Sequence, residues 1–161
     1  MKLLIFKHSL VFRKFSNFLL AIVCSISSYP VLAQASDGIA INPKTISQPL
    51  MIKGTSGGTV KAREITQTEN TPTGYCDGYV RSQPNHFLKL ETFLEFMRLE
   101  VESAADTTVL VKGPGGVWCN DDAGTVNPMI EGQWQQGLYR VWVGSYRANT
   151  HHNYQIKITD R

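Results

Sequence analysis

Beyond residue 58, apolar side chains recur at alternate positions in short bursts separated by Gly, Pro, Asn and Asp, the mark of strands with one buried face. Met97, Leu99 and Val101 alternate with Arg98, Glu100 and Glu102, and Val109 and Val111 precede the turn Gly113-Pro114-Gly115-Gly116. Tyr139, Val141 and Val143 alternate with Arg140 and Trp142, and Tyr154, Ile156 and Ile158 with Gln155, Lys157 and Thr159. Between Phe87 and Val101 a helix competes, because Leu88, Phe93, Phe96 and Leu99 partly match a helical stripe. The strict alternation after Glu95 favours two strands joined near Glu91 to Leu94. Roughly seven or eight strands, with no helix long enough for a βαβ crossover, predict an all-β fold: two antiparallel sheets packed face to face as a jelly-roll-like β-sandwich.

The N-terminal third lacks this rhythm. Residues 36–58 hold two prolines, scattered glycines and many small polar residues without a period, which reads as a flexible leader. Only Pro49-Leu50-Met51-Ile52 offers a short strand there, one that docks on the domain edge. Ahead of it, Lys2, Lys7, Arg13 and Lys14 precede the run from Phe18 to Cys24, and Ala33-Gln34-Ala35 places small residues where a signal peptidase reads. The run is short of the ~20 residues that cross a bilayer. The expected organisation is a secretory signal over 1–35, cleaved after Ala35 or else Ala33, a leader over 36–58 and a sandwich over 59–161. A lipid-attachment role for Cys24 is the weaker alternative, since the residues before it lack the usual leucine. The mature chain is expected to be secreted or periplasmic, with no transmembrane segment.

Export changes the meaning of the charge. Four of the 16 basic residues precede Ser36 and all 13 acids follow it, which leaves 12 against 13, a balance of −1. The remaining cations are scattered singly, which argues against a nucleic-acid partner.

Cys76 and Cys119 remain in the mature chain, and in an oxidising compartment they are expected to pair. Between Asn120 and Asn127 the sequence gathers Asp121, Asp122 and the amides of Asn120 and Asn127 beside Gly124. Hard cations take such oxygens, so calcium on Asp121, Asp122 and Asn127 competes with a plain polar turn, which is the preferred reading. No other cofactor is indicated. His151-His152 reads as a hairpin tip and His86 as a structural hydrogen-bonding residue. No GxSxG elbow, HExxH pair, P-loop or GxGxxG stands in the chain, and Ser56 and Ser145 lack a recognisable base. Trp134, Trp142 and Tyr146 are the candidate contact surface; with Val141 and Val143 facing the core, Trp142 faces outward, towards a sugar, a partner protein or a covering loop.

Thr107 to Val111, the Gly-Pro-Gly-Gly turn, Asn120-Asp121-Asp122-Ala123-Gly124, Asn127-Pro128, the segment from Gly137 to Tyr146 and the closing Tyr154 to Ile158 together resemble the bacterial pre-peptidase C-terminal domain family. They resemble more closely a group of uncharacterised secreted cyanobacterial proteins of that type. The resemblance covers roughly 74–159 and implies a small sandwich that assists secretion, localisation or substrate binding without being catalytic. The chain is expected to stand without a protease domain, and its acid pair falls late in the sequence, both departures from that family. The expected function is an exported, non-catalytic module contacting a protein or glycan; a small secreted hydrolase or a protease inhibitor is the alternative.

Overall fold

The computed structural model describes residues 38–160, so the predicted signal segment, Cys24 and both cleavage sites lie outside the described residues. The chain runs through β1 (Ile39–Ile41), β2 (Leu50–Thr55), β3 (Val60–Lys61), α1 (Ala62–Thr66), β4 (Asn70–Thr71), β5 (Gly74–Tyr75) and β6 (Tyr79–Val80). It continues through β7 (His86–Leu90), β8 (Leu94–Ser103), β9 (Thr107–Gly113), β10 (Gly116–Asn120), β11 (Met129–Trp134), β12 (Gly137–Ser145) and β13 (Asn153–Thr159). The contested Phe87 to Val101 stretch is thus two strands with a turn at 91–93.

The longer strands form two layers. One is ordered β7-β12-β9-β10 and the other β11-β8-β13-β2, with every neighbouring pair antiparallel. Counted in chain order from β2, the layers read second-seventh-fourth-fifth and sixth-third-eighth-first, and the chain changes layer at every step except the β9–β10 hairpin. That is the jelly-roll wiring the sequence pattern led us to expect.

Alternation sets which side chains meet between the layers. Ile156 on β13 lies between Val101 on β8 and Ile52 on β2, and Val141 on β12 lies opposite Val111 on β9. All five are buried in one core with Leu88, Leu99, Tyr139 and Ile158.

The leader is a correction. β1 pairs in parallel with β7, β2 completes the second layer, and Ile41, Ile46 and Ile52 are all buried in the core. The sandwich therefore includes residues from Ile39 onward. Its start lacks a period because β1 has three residues, and because Ile46 is delivered by a turn in which Asn42 Oδ1 accepts from the backbone N–H groups of Lys44 and Thr45. The Leu50 strand does dock at an edge, as expected.

A second, smaller core lies on the outer face of the first layer. Leu110 and Trp142 are register partners whose side chains point away from the main core, and they are covered by Ala62 of α1, Val80 and the two cysteines. The segment from β3 to β6 lies over this face, with β6 and β3 extending the sheet beyond the end of β12.

Candidate functional site

One end of the sandwich collects the segments 56–58, 104–106, 121–128 and 146–152, because β2, β8, β10 and β12 finish there while β9, β11 and β13 begin. Tyr146 and Arg147 open the loop between β12 and β13. That loop is held at several points: Tyr146 N donates to Asp106 O, Asn149 N to Gly58 O, and Thr150 Oγ1 to Arg147 O at 2.7 Å. Gly57, at φ +84°, has the Thr150 carbonyl where a Cβ would stand, so this close approach requires glycine.

Beside this loop lies a recess of about 460 Å³. Lys61 from β3, Arg63 from α1 and Arg147 from the loop line it, together with Asp77, Tyr79 and Tyr146. Of the three predicted contact aromatics, Tyr146 is the one left open to solvent, at 55% exposure. The disulfide between Cys76 and Cys119, with Cα atoms 5.0 Å apart, fixes the recess wall to β10.

Trp134 and Trp142 are corrections, each only 4% exposed. Trp142 does point out of its sheet, but α1 and the disulfide cover it. Trp134 points inward from β11, donates Nε1–H to Met97 O at 2.9 Å, and packs with Trp118 and Tyr139 where the two layers gape. These three rings floor a smaller cleft of about 260 Å³. A wider depression of about 820 Å³ on the outer face of β2, β13 and β8 is bordered by sheet-face residues such as Lys53, Glu102 and Gln155.

The acid-rich turn is arranged differently from the expected ligand set. Asn127 is committed to Ser103, its Oδ1 accepting from Ser103 N and its Nδ2 donating to Ser103 O. Asn120 is likewise engaged, with Thr73 O and Met129 N. Asp121 is partly buried, with one carboxylate oxygen enclosed and unpartnered, whereas Asp122 is exposed. Burial first, then the charges of Asp122, Asp106 and Asp77, raise the Asp121 pKa to about 6. The Asp106 carboxyl is also pushed up, by burial and by Asp122, against the pull of Arg147. Among the described residues no three His, Cys, Asp or Glu side chains converge closely enough to hold a metal ion.

Histidine and serine chemistry is equally committed. His86 Nε2 meets the Tyr154 hydroxyl at 2.7 Å, and His151 Nδ1 lies 2.9 Å from the Ser56 carbonyl, which makes that nitrogen the donor. Ser56 and Ser145 are buried and share a 2.8 Å hydrogen bond, and Ser56 Oγ also accepts from His152 N. Neither serine is presented on an open turn.

Sequence reasoning missed Lys61, Arg63, Asp77 and Arg147 as members of one site. Lys61 and Arg63 stand two residues apart beside Glu64, while Asp77 and Arg147 come from separate loops, so no single stretch of sequence shows the four together.

No protein family model matches the chain. It is similar to a protein of Synechococcus elongatus described as uncharacterized, with 31% identity over 88 residues, or 52% of this chain and 65% of that protein. The chain therefore matches slightly less than two thirds of that relative's length.

Proposed function

We propose that this chain is an exported, non-catalytic binding module that contacts a protein or glycan through the recess beneath Tyr146. The observation that carries the reading is an exposed aromatic ring on an anchored loop, set over a concave surface that three basic side chains share. The committed histidines and buried serines support the non-catalytic half. The jelly-roll wiring supports kinship with pre-peptidase C-terminal domains, accessory modules in the same sense. In this reading no cofactor takes part, and the place of action is the periplasm or the medium.

Ester, peptide and glycoside hydrolysis assays on the purified full chain test it. The expected result is no turnover above the protein-free blank. Turnover that disappears in His86→Ala or His151→Ala would replace the binding module by a small hydrolase.

A further inference from the structure

The recess is electrically lopsided in a way that selects a ligand. The chain after residue 35 is nearly neutral, 12 cations against 13 acids, yet Lys61 and Arg63, two residues apart, meet Arg147 here with one acid, Asp77, in the lining. Neither Lys61 nor Arg147 has an ion-pair partner within 4.0 Å among the described residues, and Arg63 holds Glu69 only at 3.4 Å between exposed side chains. Three cations against one acid in the lining make the recess cationic, which favours an anionic ligand. Asp121 feels the charges of Asp77, Asp106 and Asp122, and Arg147 also acts on Asp106, so acidic groups border the cations.

Three ligand chemistries can be compared on that surface. A bare oxyanion such as phosphate or sulfate would satisfy the cations, leave the Tyr79 and Tyr146 rings without a partner, and face Asp77. An acidic protein side chain reaches the cations but brings neither a ring face for Tyr146 nor a donor for Asp77. A sugar acid supplies all three: a carboxylate for the guanidinium forks, an apolar ring face for the tyrosine, and hydroxyl donors for the Asp77 carboxylate. We propose that the recess binds an acidic saccharide unit, a pyranose bearing a carboxylate, with its ring on Tyr146, its carboxylate towards Lys61, Arg63 and Arg147, and a hydroxyl on Asp77. The cavity of about 460 Å³ leaves room for one such ring and the linkage to its neighbour.

This assignment rests on the binding-module reading, and titration calorimetry on the full chain separates the two. The probes are a galacturonate trimer, the same trimer with methyl-esterified carboxyls, a neutral galactose trimer and polyglutamate. The acid trimer should bind, and esterification, Arg147→Ala and Tyr146→Ala should each weaken it about tenfold or more, with melting temperatures unchanged because both side chains are exposed. Sodium sulfate should compete only weakly. Equal binding of esterified and acid trimers, or polyglutamate binding as well as the acid trimer, would overturn the sugar-acid assignment while leaving a Tyr146-dependent binding module in place. Binding of none of the four probes would overturn the assignment too, and the module reading then stands or falls on the hydrolysis assays.

Discussion

The Tyr154 hydroxyl and His86 Nε2 meet at 2.7 Å in the interior, joining β13 of one layer to β7 of the other, with the two rings edge-on at 5.9 Å. Gly54 makes room for the pair, since the Tyr154 ring occupies the space a Cβ would take. Burial lowers the His86 pKa below 6.5, so between that value and its folded pKa the unfolded chain binds the extra proton. Stability contributed by neutral His86 is therefore full above pH 6.5 and declines as the pH falls through this window. In an Asp121→Asn background, denaturant midpoints between pH 7 and 5 should show the decline, and His86→Gln should flatten it. Tyr154→Phe should cost about 1 kcal/mol at pH 7.

Asp121 acts in the opposite sense. Its folded pKa of about 6 lies above the ordinary 3.8, so the fold carries a charge penalty at neutral pH that is relieved as the pH falls from about 6 towards 4. Asp121→Asn should stabilise the protein by roughly 1–2 kcal/mol at pH 7, allowing for its partial exposure, and the gain should vanish near pH 4. Millimolar calcium should leave the melting temperature unchanged against chelator. A calcium-dependent rise lost in Asp121→Asn or Asp122→Ala would restore the metal reading.

Removing the disulfide by the pair Cys76→Ser and Cys119→Ser should cost up to about 4 kcal/mol, because the bridge closes a loop of 43 residues in the unfolded chain. The measurement is the urea midpoint. Thiol alkylation of untreated exported protein should label neither cysteine.

Trp142→Ala should cost about 3–5 kcal/mol, the range for a large aromatic removed from a packed interior. Trp142→Phe should cost much less, since the indole Nε1–H has no hydrogen-bond partner to lose. A surface tryptophan would have left the melting curve unmoved in both variants.

Edman sequencing of exported protein should begin at Ser36, after Ala33-Gln34-Ala35. A start at Met1 in an envelope fraction would sink the signal-peptide expectation.

The parts of the fold legible in the sequence are those where alternation runs for several residues. The strands at Leu94–Ser103 and Asn153–Thr159 show it plainly, with buried residues at every second position through most of each strand, and Gly137–Ser145 shows it as far as Val141, beyond which every residue is buried. Three-residue β1 is too short to carry a period, so the start of the domain was hidden. Alternation also tells which way Trp142 points from its own sheet, while nothing nearby says that residues 59–80 return to cover it. The site was less legible still. Tyr146 was visible as a lone aromatic, but Lys61, Arg63, Asp77 and Arg147 meet only because β6 pairs with β12 and the disulfide ties Cys76 to β10. Asn127 looked like a ligand because composition cannot show that Ser103 already holds both ends of its amide.

The pairing of β2 with β13 joins Leu50 to Ile158 and Thr55 to Asn153, so the first and last long strands of the domain lie side by side. β13 is also an inner strand, flanked by β8 on its other edge. A chain truncated before Asn153 would leave a gap in the middle of its sheet, with two open edges and half of the main core facing water. Folding therefore waits for the final strand to arrive and closes contacts about a hundred residues apart, which makes it slow compared with a helical domain of equal length.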